Sequence, residues 1–435
     1  MRRVPSLRVS FWLALAGSLL GPTDDVEART IEDRGYDCRV IASTRQFPRG
    51  LLTGQPMVNA SGQVAFLVSV PGAVYTETQI RIGRGDALAN GTPISTVVAR
   101  ASGDPDPTIF FDILDSPAIE DSGSAIFFGA QRSPPGQGIY RASASPPSSQ
   151  PILVYADQNI DPLSPFVGFN VPLWQPLPGA IGSILFVAFG PSGEGIYRDT
   201  LLLGPTRGSG PSGAYVLPPA LIDPYGIETA WLASIGNTTP TAAVFLNDVI
   251  VDQSENGAGG FTSLSINGHP TAFVSYERSG FAPSPGWKLV VATTSSRATY
   301  VDADVDPFQA NMGTRGSAVN LRGEVAFVAY PTGRGEELLV ADGGDVIHRV
   351  VCRGLLALVG SVDFFRYQIS PRAINSRGQI AFWAQTGFID PQTQEFETFL
   401  MVTPEPDEAA LALFALVVLR ALSAPWSGPS RTRAA

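Results

Sequence analysis

The two histidines come first in a search for catalysis, because histidine is the side chain most suited to proton transfer near neutral pH. The chain of 435 residues has only His269 and His348. His269 falls in a predicted turn and His348 in a predicted strand, and neither has an HExxH or other metal-ligand spacing. No Gly-x-Ser-x-Gly sequence presents a nucleophilic serine. A Ser-His-Asp triad from distant residues stays an alternative, but the sequence assigns no catalytic residue.

A second candidate for chemistry is the acidic segment Asp302, Asp304 and Asp306, whose carboxylates alternate along the chain. Oxygen ligands at alternate positions suit Ca²⁺. Related loops occur at 104–107 and 157–162. The segment lacks the glycine and the final glutamate of an EF-hand loop, so we expect a solvated turn. The sequence assigns no metal and no cofactor.

A nine-residue motif, which we call the phrase, recurs along the chain and predicts the elements that position these residues. Its full copies end in Asn59–Phe66, Asn320–Phe327 and Asn375–Phe382. Asn followed three residues later by Gly is typical of a turn, because Asn bonds local backbone and Gly accepts a positive φ. The apolar run that follows does not alternate with polar residues, so we expect a strand covered on both faces. Four weaker copies close at Phe127, Phe186, Trp231 and Phe273.

Two further short strands follow most copies, such as Gly138–Arg141 and Ile152–Tyr155, with Gly, Pro and Ser between them. Three to four strands in each repeating unit are typical of a propeller blade. We therefore predict an all-β fold, a β-propeller of seven blades with three to four antiparallel strands each. A β-solenoid or a pair of β-sandwiches is the alternative.

The two ends of the repeat region predict closure of the ring. The seventh unit ends after its second strand at Val402, whereas an unassigned strand, Cys38–Ala42, precedes the first phrase. Placing this strand in the last blade would leave no open sheet edge. Cys38 and Cys352 would then lie in third strands of adjacent blades. Equivalent positions of neighbouring blades are usually too far apart for a disulfide, so we expect the two cysteines to be unpaired.

Composition agrees with a folded, turn-rich chain. It has 45 Gly and 37 Pro, and with 44% hydrophobic and 16% charged residues it buries a sizeable core. Its 29 basic and 39 acidic residues give a net charge of −10, which argues against a nucleic-acid partner because such a partner requires a basic face.

The N-terminus predicts export. A basic start is followed by the apolar stretch Val9–Leu20 and by small residues around Ala28, as in a secretory signal peptide over residues 1–28. The alternative is a buried N-terminal helix. Residues 29–403 form the repeat domain.

Residues 404–435 predict a sorting or anchor segment. Pro404-Glu405-Pro406 precedes the apolar stretch Ala409–Leu419 and Arg420. This resembles the PEP-type C-terminal sorting signal of Gram-negative exosortase systems, although 15 residues follow Arg420. A plain membrane tail is the alternative, but its apolar stretch is shorter than the roughly 20 residues of a spanning helix.

The chain as a whole resembles exported bacterial tandem-repeat proteins with an Asn-x-x-Gly-x-x-Ala-Phe repeat and varied C-terminal anchors. The resemblance covers residues 35–403 and implies a secreted protein at the cell surface of a Gram-negative bacterium, without an established activity. Because the acidic residues are scattered among the repeat loops, we expect a non-enzymatic binding or structural platform for an unknown extracellular ligand or matrix component. Signal peptidase and a sorting peptidase would act during export, with only transient membrane contact through the tail. The alternative is an exported propeller enzyme acting on polysaccharide, with paired carboxylates in one site.

Overall fold

The computed structural model describes residues 28–404 apart from several internal segments. These segments are 48–52, 72–75, 90–91, 103–109, 145–149, 170–176, 179–182, 191–192, 206–213, 223–227, 236–240, 248, 255–259, 268–270, 281–285, 353–363 and 390–395. The predicted signal peptide up to residue 27, the tail from residue 405, His269 and the loop 104–107 therefore lie outside the described residues.

Thirty β-strands make up the regular structure of the described residues. The first ten are β1 (Thr30–Tyr36), β2 (Arg39–Ser43), β3 (Thr53–Val58), β4 (Val64–Pro71), β5 (Thr76–Ala89), β6 (Thr92–Ser102), β7 (Phe111–Ile119), β8 (Ser124–Arg132), β9 (Pro135–Ser143) and β10 (Ile152–Ala156). The next ten are β11 (Gly168–Phe169), β12 (Leu177–Pro178), β13 (Ile184–Gly190), β14 (Gly193–Arg198), β15 (Leu201–Pro205), β16 (Ala214–Ile222), β17 (Thr229–Ile235), β18 (Thr241–Leu246), β19 (Val249–Gln253) and β20 (Gly260–Asn267). The last ten are β21 (Phe273–Ser279), β22 (Trp287–Ala292), β23 (Arg297–Asp302), β24 (Ser317–Val319), β25 (Val325–Ala329), β26 (Glu337–Ala341), β27 (Val346–Cys352), β28 (Phe364–Gln368), β29 (Ala381–Ile389) and β30 (Phe396–Val402).

These strands pair mainly as antiparallel meanders, in which each strand bonds to the next one along the chain. The sheets follow the orders β3 to β10, β11 or β12 to β15, β16 to β19, β20 to β23, β24 to β27 with β1 added, and β28 to β30 with β2 added. Neighbouring sheets pack against one another in sequence, and β29 of the last sheet packs against β3 of the first. A ring of antiparallel meanders that closes on itself is a β-propeller, so the predicted fold class is confirmed.

The number of separate sheets differs from the prediction. Seven separate blades were expected, whereas the described strands form six sheets, because β3 to β6 and β7 to β10 merge into one sheet of eight strands. The merger rests on a single parallel residue pair between β6 and β7, Ala101 with Phe111. A join of this kind has no sequence signature, because it depends on how two edge strands approach in three dimensions.

The apolar runs after the turns form the second strand of their sheets and are buried as expected. All five residues of β25 are buried, including Phe327 at 0% exposure. Five apolar clusters lie between the sheets; one of them joins Ile41 of β2, Phe66 of β4 and Trp383 of β29. Burial of these side chains from both ends of the chain stabilises the closure of the ring.

The predicted placement of the N-terminal strand is confirmed. Strand β2 pairs antiparallel with β30, with Arg39 opposite Val402 and Ser43 opposite Phe399. The sequence did not predict β1, which pairs in parallel with β27 over seven residues from Thr30 to Tyr36. The N-terminal segment therefore adds an outer strand to each of two consecutive sheets and covers one edge of each.

The fifth copy of the phrase has a different register from the one predicted. Asn267 pairs with Phe273, and Val274 is the first residue of the apolar run, as Val325 is in its own sheet. Tyr276, two residues after Val274, therefore takes the position that Phe327 has two residues after Val325. Tyr276 is fully buried. The turn is thus longer than in the full copies, and the prediction that Phe273 closes this copy was wrong.

No helix within the described part of the chain has the length and apolar character needed to cross a membrane.

Candidate functional site

The repeated asparagine closes the turn between the first and second strands of its sheet. The Oδ1 atom of Asn375 accepts hydrogen bonds from the backbone N–H groups of Arg377 and Gln379, both at 3.0 Å. Its Nδ2 atom donates to Oε1 of Gln379 at 2.8 Å. Asn59 and Asn320 make equivalent bonds in their own turns. The asparagine therefore satisfies the backbone of a tight turn, which is the role that the phrase predicted.

The same side chain also joins neighbouring units: Asn375 links the last sheet to the first, and Asn59 links the two halves of the eight-stranded sheet. Nδ2 of Asn375 donates to the carbonyl oxygen of Asn59 at 2.8 Å, and Nδ2 of Asn59 donates to the carbonyl oxygen of Glu120 at 2.9 Å. The turn glycine allows this approach, because Gly123 has φ +84° and a Cβ atom there would lie 2.8 Å from Oε1 of Gln63. The most regular motif of the sequence thus serves the assembly of the ring at the end of the strands that carries these turns.

The two cysteines form a disulfide, so the expectation that they are unpaired was wrong. Their Cα atoms are 5.2 Å apart. Cys38 follows β1, and β1 runs beside β27 with Tyr36 opposite Cys352. The expectation assigned Cys38 to a third strand of the last blade, whereas it lies in the crossing between β1 and β2. Two cysteines in a chain predicted to be exported were the sequence signal that favoured pairing.

The acidic segment is bound by the protein's own cations. Asp306 is buried and pairs with the Arg29 guanidinium at 3.0 Å, and Asp302 pairs with the Lys288 ammonium at 2.5 Å. Oδ2 of Asp306 also accepts the N–H of Asp302 at 2.7 Å. The segment is therefore only in part the solvated turn that we expected. Within the described residues, no group of three or more His, Cys, Asp or Glu side chains has the geometry of a metal site.

A polar cluster lies at the other end of the strands, where β20–β23, β24–β27 and the last sheet meet. We call it the Thr314 cluster; it comprises Ser263, Glu277, Thr314, Arg315, Tyr330, Glu336 and Tyr367. Its two glutamates are buried on either side of the dipeptide Thr314-Arg315. No sequence motif predicted this cluster, because its members come from three separate repeats.

Each glutamate of the Thr314 cluster is already held by protein donors. Oε2 of Glu277 accepts the Thr314 N–H at 2.5 Å and the Thr314 hydroxyl at 2.6 Å. Glu336 accepts the Tyr330 hydroxyl at 2.6 Å and the Tyr367 N–H at 2.5 Å, and it lies 3.2 Å from Nε of Arg315. Burial and the bond to Glu336 raise the pKa of Tyr330. These contacts fix three sheets relative to one another.

A further buried carboxylate, Asp252, lies between the β16–β19 and β20–β23 sheets. It accepts the Tyr276 hydroxyl at 3.0 Å and pairs with Arg297 at 2.7 Å. Burial, and then the charge of Asp252, raise the pKa of Tyr276 far above its usual value. Tyr276 is therefore held neutral and acts as a hydrogen-bond donor between two sheets.

His348 lies in β27, opposite Val340 of β26 and Glu32 of β1. Its side chain is half-buried. The structure does not bring it into the Thr314 cluster.

Comparison with known proteins gives likenesses of fold only. No family model and no curated protein matches the chain. Among solved structures it is similar to the β-propeller domain of the Trilobed protease from Pyrococcus furiosus, with 10% identity over 80% of this chain and 93% of that one, and a TM-score of 0.46. It is also similar to an oligogalacturonate lyase solved in complex with manganese, with 8% identity over 88% of this chain and 99% of that one, and a TM-score of 0.43. A third is the polysaccharide lyase Uly1, with 8% identity over 80% of this chain and 89% of that one, and a TM-score of 0.44.

Proposed function

We propose that this chain is an exported protein, held at the cell surface or in the extracellular matrix, that acts as a rigid binding or structural platform. The observation that carries the proposal is the disulfide between Cys38 and Cys352. Disulfides persist in oxidising compartments and are rare in the cytosol. This bond ties the N-terminal segment to the end of β27, 314 residues further along the chain.

The hydrogen bonds of the polar side chains support a role as a binding or structural platform. The repeated asparagines bond to their own turns and to neighbouring units, and the hydrogen bonds of the two glutamates of the Thr314 cluster link three sheets. Groups engaged in this way position backbone and are not poised to transfer protons. The ligand would be an extracellular molecule or matrix component bound on the surface of the ring.

Export would involve two processing enzymes and only brief contact with the membrane. In this proposal signal peptidase removes residues 1–28, and a sorting peptidase of a Gram-negative bacterium acts on residues 404–435. The net charge of −10 supports a partner other than nucleic acid or an anionic membrane.

We further propose that the ring contains seven units, each built on three to four antiparallel strands, with the eight-stranded sheet counting as two of them. The single residue pair between β6 and β7 supports this division, as does the presence of one turn of the phrase in each half, at Asn59 between β3 and β4 and at Glu120 between β7 and β8. A crystal structure of the mature chain tests it, since a continuous ladder between β6 and β7 would contradict the division.

An exported enzyme acting on polysaccharide is the second candidate. Glu277 and Glu336, buried on either side of Thr314-Arg315, are the observation that favours it. In this alternative one carboxylate would have to exchange its protein donors for substrate. Cleavage of acidic or neutral polysaccharides that is lost in both Glu277→Gln and Glu336→Gln, with folding retained, would favour the enzyme.

Intact-mass measurement on protein extracted from the surface of a Gram-negative host tests the main proposal. We expect a chain that begins at Arg29, lacks the segment after Pro406 and resists thiol alkylation until it is reduced. Protein that retains Ala409–Ala435, or that has two free thiols, would contradict it.

A further inference from the structure

The backbone nitrogen of Arg29 is hydrogen-bonded to a buried carboxylate. It donates to Oδ1 of Asp306 at 2.8 Å, while the Arg29 guanidinium donates to Oδ2 of the same carboxylate at 3.0 Å. The Asp306 side chain has no exposed surface. Asp306 is 277 residues away in sequence, so this contact joins the start of the repeat domain to the loop between β23 and β24.

The contacts of Arg29 span two sheets. Its Nη2 atom donates to the carbonyl oxygen of Thr299 in β23, and its Nε atom donates to that of Gly344 in the turn before β27. The next residue, Thr30, donates its N–H to the carbonyl oxygen of Asp345 and begins β1. Arg29 is thus fixed directly before β1, whereas Ala28, the residue before it, is exposed.

We propose that Asp306 is a binding site for the protein's own α-ammonium group, which is formed when a signal peptidase cleaves between Ala28 and Arg29. This inference rests on the proposed export. Before cleavage the Arg29 nitrogen is a peptide amide with one proton and no charge. Afterwards it is an amine that is protonated at neutral pH, because its ordinary pKa is about 7.7–8.0.

The chemistry of the step is a hydrolysis. Water breaks the peptide bond, its oxygen becomes part of the new carboxylate of Ala28, which leaves with the signal peptide, and the new amine of Arg29 takes up a proton. The nitrogen already lies at hydrogen-bonding distance from Oδ1 of Asp306. Cleavage therefore replaces a neutral donor with a charged one at a buried carboxylate, and a hydrogen bond between charged groups is the stronger kind.

The composition of the chain provides a direct assay, because Lys288 is its only lysine. A chain from Arg29 to Ala435 therefore carries two amines, and Lys288→Arg leaves only the α-amine. We would prepare this Lys288→Arg chain with Arg29 as its first residue. The matched control is the same chain with Ala28 retained, which moves the amine out of the site without changing any contact of Asp306 with the Arg29 side chain.

Both chains would be labelled with an amine-reactive ester at pH 7.5, folded and in urea, and followed by intact mass. We expect the folded chain that starts at Arg29 to react at least about tenfold more slowly than the chain that starts at Ala28, because the bound group stays protonated, and a factor of ten corresponds to about 1.4 kcal/mol. In urea the two rates should be equal. Equal rates in the folded chains would overturn the site.

Thermal unfolding gives a second readout. The chain that starts at Arg29 should melt higher than the chain that starts at Ala28, and Asp306→Asn in both chains should remove that difference. A difference that survives Asp306→Asn would overturn the role of Asp306. The labelling assay uses purified protein and therefore tests the Asp306 site independently of export. The N-terminus of surface protein tests the export separately: a first residue other than Arg29 would overturn cleavage after Ala28, whatever the labelling shows.

Discussion

At the scale of single residues, the side chains repeated most often in this chain stabilise its architecture. Asn59, Asn320 and Asn375 each accept hydrogen bonds from two backbone N–H groups, and Asn59 and Asn375 also donate to a neighbouring unit. Sequence alone identified their turn role from Asn and Gly spacing. It did not identify the link between units, because that bond depends on the position of a residue in another repeat.

Replacing Asn375 with Ala tests this double role. The change leaves the N–H groups of Arg377 and Gln379 without their acceptor and removes the donor to Asn59, so we expect a loss of about 2–3 kcal/mol in the free energy of unfolding. Urea denaturation measures it. Ser376→Ala is the matched control, since Ser376 is exposed in the same turn and its loss should have little effect. A stability equal to that of the control would contradict the role of Asn375.

The raised pKa of Tyr276 should make the free energy of unfolding depend on pH in the alkaline range. Burial and Asp252 raise its pKa in the folded protein, so the folded form keeps the phenol neutral while the unfolded chain ionises near its ordinary pKa of about 10. Its stabilisation is therefore present below about pH 10 and is lost as the pH rises further. Urea denaturation at pH 8, 10 and 11 should show a fall in stability above pH 10 that is smaller in Tyr276→Phe. An identical pH profile for the variant would exclude Tyr276 as the cause.

At the scale of elements, sequence predicted the second strand of each unit best, because a short unbroken apolar run directly after a turn is typical of a buried strand. It failed where the repeat changed length, as at Asn267, whose longer turn moves the buried aromatic from Phe273 to Tyr276. It also missed β1. A sequence such as Thr30–Tyr36, with mostly polar residues, lacks the apolar pattern of a strand and is held by an edge that only the folded ring presents.

Removing the disulfide tests the contribution of this edge. Cys38 and Cys352 are 314 residues apart in sequence, so their bond restricts the unfolded chain strongly, and we expect reduction to cost about 3–5 kcal/mol. Urea denaturation with and without dithiothreitol measures the loss. The double variant Cys38→Ser, Cys352→Ser should show the lower stability and no response to the reductant. An unchanged midpoint on reduction would show that strand pairing alone holds the ends.

At the scale of the whole molecule, the ring depends on its N-terminal segment. This segment supplies Arg29 to Asp306, β1 to β27, Cys38 to Cys352 and β2 to β30. Sequence predicted the last of these contacts from a count of strands in the final unit. The other three required the path of the chain between two sheets.

Deletion of residues 29–45 should expose the edges of β27 and β30 and remove the disulfide. We expect a large fall in melting temperature and a broader transition, because two sheets lose an outer strand and the apolar cluster around Ile41 is opened. Differential scanning calorimetry against the chain that starts at Arg29 measures this. A truncated protein with the same melting temperature would show that the ring closes without strand exchange.

The disulfide also constrains when the protein can complete its fold. Ribosomes release Cys38 early and Cys352 only after a further 314 residues, so the first-made part of the ring waits for the last-made part. Contacts this distant in sequence form slowly, because the chain must close a long loop before they stabilise it. In the export that we propose, the chain would cross the translocation channel before this closure, and oxidation on the far side would then make the closure permanent.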